Sequence, residues 1–145
     1  MKVKTALILC AGFGKRVQPI TDSLPKPLIN YKDETLLENT IKFLIKLKIN
    51  KIKINVFYLK EKIISFIENK KFPLNIEIVD DGETILGTGG GILSLINKSD
   101  EEDVLVINPD TIWDDSFITS VIDMENIYFE KKIKNILLVV NNSSC

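Results

Sequence analysis

Residues 7–28 read LILCAGFGKRVQPITDSLPKPL, which places Lys15, Arg16 and Lys26 close behind an apolar run, with Gly12 and Gly14 leading in. Glycine lets the backbone reach φ > 0 and approach a ligand closely. Successive N–H groups in such a loop can form an anion nest. Arg16 can fork onto phosphate oxygens, while Lys26 supplies a compact charge. Pro25 and Pro27 fix φ on either side of Lys26. Together these residues suggest a polyanion site, with phosphate the natural anion. The plainer alternative is a glycine turn carrying solvated cations. Two familiar phosphate loops do not fit. Val17 occupies the third-glycine place of G-x-G-x-x-G, and no Ser or Thr completes G-x-x-x-x-G-K-[ST].

A second candidate is Asp110, in VINPDTIW at 106–113. It falls just past an apolar run, where a strand would deliver it to a ligand-binding sheet edge. Mg²⁺ prefers one or two carboxylates plus phosphate oxygens. The alternative is an Asx turn with Asn108 and Pro109. Other conspicuous residues have structural readings. Gly89 to Gly91 permit close helix–sheet packing, and Trp113 reads as a packing residue. Asp80 and Asp81 fit a solvated turn with Gly82, and Glu101, Glu102 and Asp103 an exposed loop.

The elements that must position these residues alternate in type. A near-continuous apolar run at 3–9 predicts a strand covered on both faces, and further strands are predicted at 52–57, 75–79, 104–107 and 134–140. Between them TLLENTIKFLIKLKI has helical spacing, with Thr35 and Glu38 forming a capping box. EKIISFIENK, Gly89 to Ile96 and SFITSVIDMENIYFE supply further helices. Alternating strands and helices predict one α/β domain, residues 1–145, with a mainly parallel sheet. The loop 10–18 should then lie at the C-terminal ends of the strands, beside 86–90 and 108–110. The chain closes on NNSSC directly after the last predicted strand, where a parallel sheet normally adds a covering helix. The expectation is a C-terminally incomplete fold.

Composition narrows the class. Among 145 residues, 45% are hydrophobic and 27% charged, enough for a globular core. A net charge of −1 argues against nucleic acid as the partner. The two cysteines, Cys10 and Cys145, give no disulfide framework, and a reducing, cytoplasmic setting is the expectation. There is no histidine, which removes the commonest general base. No apolar run approaches the roughly 18 residues of a membrane span. MKVKTALILCAG begins like a signal peptide, but the glycine and cation cluster stands where a cleavage site would sit.

CAGFGKRVQPITDSLPKPL resembles the G-x-G-x-R…P-x-T…P-K-P-L signature of sugar-phosphate nucleotidyltransferases. ILGTGGGI (85–92) and VINPDTIW follow in family order and at family-like spacing. The combination most resembles N-acetylmuramate 1-phosphate uridylyltransferases and mannose 1-phosphate guanylyltransferase-like proteins. The resemblance runs over nearly the whole chain but covers only the N-terminal part of such an enzyme. It implies a Rossmann-like three-layer fold and a Mg²⁺-dependent reaction of an NTP (UTP or GTP) with a sugar 1-phosphate, giving an NDP-sugar and pyrophosphate. It also implies roles. Ala11, Gly12 and Gly14 would shape the nucleotide loop, with Lys15 adding charge. Arg16 would neutralise the triphosphate and departing pyrophosphate, and Lys26 would contact phosphates near the attacked phosphorus. Gly87, Thr88 and Gly89 would line the base and ribose side, and Asp110 would hold Mg²⁺. Gln18 stands where relatives often carry a basic residue. The alternative is a nucleotide-binding module, shortened or degenerate, without turnover.

Overall fold

The computed structural model describes residues 1–139. Four strands form one parallel sheet: β1 (Thr5–Leu9), β4 (Lys51–Val56), β5 (Asn75–Asp80) and β6 (Leu105–Ile107). Their spatial order is β5-β4-β1-β6. β1 aligns Leu9 with Asn55 on one side and Ile8 with Ile107 on the other. A short antiparallel hairpin, β2 (Asn30–Tyr31) and β3 (Glu34–Thr35), stands apart from it. The helices are α1 (Leu36–Lys46), α2 (Lys60–Lys70), α3 (Gly87–Asn97) and α4 (Ser116–Lys131).

The two faces of the sheet are set by alternation along the strands. Ala6 and Ile8 of β1, with Ile52, Ile54 and Val56 of β4, join Leu37, Ile41 and Leu44 of α1, Ile63 of α2 and Val121 of α4 in the main core. Leu7 and Val79 turn to the other face and meet Leu95 of α3. The result is three layers, with α1, α2 and α4 on one side and α3 on the other.

The predicted strands at 3–9, 52–57, 75–79 and 104–107 correspond to β1, β4, β5 and β6 within two residues at each end. The predicted strand at 134–140 is corrected. Residues 134–139 form no ladder, and residue 140 lies outside the described residues. The run is apolar, yet Leu137 and Val139 are 81% and 74% exposed while Leu138 packs on the core. A half-buried run becomes a strand only where a neighbour offers hydrogen bonds.

Half of the capping box is present. Thr35 Oγ1 accepts from Glu38 N at 3.1 Å, but the Glu38 carboxylate turns to Lys42 (3.0 Å) and Lys70 (2.7 Å). No helix among the described residues is long and apolar enough to cross a membrane.

Candidate functional site

β1 ends at Leu9, and the chain leaves the sheet through Cys10 and Ala11 into the glycine loop. Gly14 is the glycine this loop requires. It has φ 65°, and a Cβ there would lie 2.8 Å from Thr21 Cγ2. Its carbonyl accepts from Val17 N and from Thr21 Oγ1, both at 2.9 Å. These bonds start a single 3₁₀ turn over Lys15–Val17. Phe13 is wedged against Tyr58 and Phe57, with ring centroids 5.1 and 5.9 Å away. Tyr58 in turn donates its hydroxyl to Thr21 O at 2.8 Å. The loop is therefore clamped from the side while its tip stays open.

A cavity of about 390 Å³ opens at the C-terminal ends of β1, β4 and β6. Ala11, Gly12, Gly14, Arg16, Lys26, Gly87, Thr88 and Asp110 all line it. Residues from three distant motifs thus share one concavity at the sheet edge, where ligands of open α/β sheets bind. Lys15 and Gly89 are not part of the lining. Lys15 reaches back over the Phe13 ring at 5.5 Å, and Gly89 is exposed on the first turn of α3.

Lys26 Nζ and Asp110 form an ion pair at 2.6 Å, their side chains 28% and 38% exposed. This pair joins the Pro-Lys-Pro segment to the loop after β6, across 84 residues of sequence. Among the described residues, Asp110 is the one carboxylate lining the cavity. No group of three His, Cys, Asp or Glu side chains converges as a metal cage among the described residues. A lone, accessible carboxylate suits a hard cation that keeps its waters and borrows phosphate oxygens. The donor set therefore fits Mg²⁺ arriving with a phosphate ligand.

Cys10 lies at the cavity floor. Its burial, and then the nearby Asp110 charge, push its thiol well above the ordinary range, so the group stays protonated. Trp113 packs as expected, stacked on Phe43 at 5.1 Å and edge-on to Phe117 at 5.2 Å. Asp80 makes the expected turn, accepting from Gly82 N at 2.9 Å. Asp81 does not. It is half-buried and bonded by Asn55, a cavity residue that sequence reasoning missed. Its only signal was a carboxamide within β4, whose sequence is KIKINV.

Comparison with known proteins follows the same lines. The family model described as nucleotidyl transferase matches residues 5–143. The bifunctional protein GlmU of Methanococcus maripaludis (strain C5) is 40% identical over 131 residues, covering 90% of this chain and 30% of the relative. The mannose-1-phosphate guanylyltransferase catalytic subunit beta of Dictyostelium discoideum is 34% identical over 114 residues, 77% of this chain and 32% of the relative. The chain thus spans about a third of these relatives' length. A UTP-bound UGPase from Acinetobacter baumannii superposes with a TM-score of 0.72 at 21% identity, over 90% of this chain and 54% of that one. At that identity the likeness shows the fold alone.

Proposed function

The chain belongs to the nucleotidyl transferase family, and from that premise we propose that residues 1–145 carry the nucleotide-binding part of a sugar 1-phosphate nucleotidyltransferase. The reaction is the transfer of a nucleotidyl group from UTP or GTP to a sugar 1-phosphate. The observation that carries this reading is the meeting of Arg16, Lys26 and Asp110 with the glycine loop in one cavity.

The chemistry is an in-line displacement at the α-phosphorus. An oxygen of the sugar phosphate forms the new bond, and the bond to the β-phosphate oxygen breaks as pyrophosphate leaves. The attacking oxygen is already ionised, so no general base is required, which suits a chain without histidine. Backbone N–H groups at Ala11 to Gly14 offer the phosphates an anion nest. Arg16 places a planar fork toward the leaving pyrophosphate, and Lys26 gives up Asp110 to contact the phosphates near the attacked phosphorus. Asp110 is the residue that would hold Mg²⁺. Bound there, Mg²⁺ supplies charge neutralisation on the departing phosphates. Gly87 and Thr88 present backbone and hydroxyl groups on the far side of the cavity for the nucleoside.

A second reading is nucleotide binding without turnover. It is favoured by the single carboxylate that the described residues bring to the cavity lining. A pyrophosphate-release assay of UTP and GTP against a panel of sugar 1-phosphates separates the two. Sustained release that depends on both substrates supports transfer. Triphosphate binding without release supports the second reading, and neither binding nor release rules out both.

A further inference from the structure

Asn55 is 2% exposed, inside a strand whose neighbours Ile52, Ile54 and Val56 are fully buried and apolar. Asparagine is poorly suited to a strand interior, so its presence there calls for a reason. Its side chain lies on the sheet face covered by α3, and it lines the cavity. Oδ1 accepts from Cys10 N at 2.9 Å, and Nδ2 donates to Asp81 Oδ2 at 2.7 Å. The Cys10 N–H can only donate and an ionised Asp81 can only accept. A side chain joining them must do both, as a carboxamide does. The other Asp81 oxygen, Oδ1, is buried with no partner among the described residues. The bond from Asn55 is therefore the side-chain hydrogen bond that holds this carboxylate. Above them α3 comes down so closely that a Cβ on Gly91 would lie 2.6 Å from Asn55 Nδ2.

One amide thus ties together three pieces of the site: the start of the glycine loop at Cys10, the start of the 81–86 loop that leads to Gly87 and Thr88, and the glycine turn of α3. We infer that Asn55 is a positioning residue, which sets the glycine loop and the Gly87–Thr88 segment at a fixed separation across the cavity. This deepens the nucleotide reading of the site and rests on it for its functional consequence. Its geometric content stands apart from any ligand.

The test exploits the polarity of the bonds. Asn55→Asp keeps the acceptor for Cys10 N but sets a carboxylate against Asp81. Adding Asp81→Asn reverses the second bond, because the amide introduced at position 81 can donate to the carboxylate introduced at position 55, and every hydrogen bond is restored. Amide hydrogen exchange is measured on the ligand-free full chain, and affinity for UTP and GTP with Mg²⁺ is measured by calorimetry. The single variant is expected to speed exchange over residues 81–91 by about tenfold or more, the scale of the one buried hydrogen bond it loses. Exchange in β1 and α1 should stay near wild type, and any triphosphate affinity should fall. The double variant should return both readouts to wild type. Unchanged exchange over 81–91, a uniform rise throughout the chain, or a double variant no better than the single one overturns the inference. If the single variant does not fold, the double variant decides alone: wild-type exchange supports the inference, and failure to fold contradicts it. If wild type binds neither triphosphate, the nucleotide reading fails while the exchange data still decide the role of Asn55.

Discussion

Arg16 is exposed at the mouth of the cavity, beyond a loop held by Gly14 and Thr21. Its replacement should therefore leave the fold intact and act on the ligand. Arg16→Ala is expected to weaken Mg·triphosphate binding by about 1.5–3 kcal/mol, the value of hydrogen bonds to charged groups, read by calorimetry as a Kd raised about tenfold or more. Equal affinity in the two proteins would remove Arg16 from the site. Asp110→Asn tests the metal role separately. In wild type, Mg²⁺ should strengthen triphosphate binding relative to the same titration in EDTA. In the variant that increment should largely vanish, and an undiminished increment would place the metal elsewhere. Gly14→Ala should act on the fold, because its φ is 65° and its Cβ would meet Thr21 Cγ2 at 2.8 Å. A loss of about 1–3 kcal/mol in unfolding free energy is expected from such crowding, measured by urea titration. At this scale the sequence was informative about residue type. Arg16, Lys26 and Asp110 stood out as candidates by type, and the fold brings all three to one cavity. Asn55 did not stand out, because its importance lies in which backbone group and which carboxylate it joins.

Glu125 shows how an element is held in place. From α4 its carboxylate accepts from Lys2 N at 2.9 Å and Val3 N at 2.7 Å, and it is 6% exposed. Glu125→Ala should cost about 1.5–3 kcal/mol and lower the urea midpoint, with Glu125→Gln recovering part of it; an unchanged midpoint would contradict the anchoring role. Midway along α1, Lys42 reaches back between Glu34 (2.6 Å) and Glu38 (3.0 Å). The Lys42 hydrogen bond holds Glu34 below the ordinary carboxylate value of 4.5. Burial pushes Glu38 up, but Lys70 and Lys42 together bring it below the same value. Depressed carboxylates stabilise the fold above 4.5 and lose that contribution as pH falls through the folded values. Lys42→Met should therefore flatten the fall in stability below pH 4.5, and an identical acid limb would refute the coupling. The main elements were legible because apolar residues recur along them, near-continuously in β1 and alternately in β5. The β2–β3 hairpin was not, since its turn at Lys32 and Asp33 contains no glycine and Lys32 takes φ 55° unaided. Residues 134–139 misled for the opposite reason. Their apolar composition is real, but pairing belongs to the neighbour and not to the run.

For the whole molecule, the order β5-β4-β1-β6 puts the loops after β1 and β6 side by side. The topology thereby converts an 84-residue separation into the 2.6 Å contact between Lys26 and Asp110. That convergence could be anticipated from motif order and the alternation of strands and helices. The absence of Lys15 and Gly89 from the cavity lining could not, because a one-residue step along a turn or a helix changes which way a group faces. The central claim is that this one cavity receives the triphosphate of an NTP. The most direct test is amide chemical-shift mapping of the ¹⁵N-labelled chain on addition of UTP or GTP with Mg²⁺. The account predicts saturable shifts concentrated at Ala11, Gly12, Gly14, Arg16, Gly87, Thr88 and Asp110, and their loss in Arg16→Ala. Shifts confined to the separate groove around Tyr31, Lys42 and Trp113, or no saturable shift with either nucleotide, would contradict it.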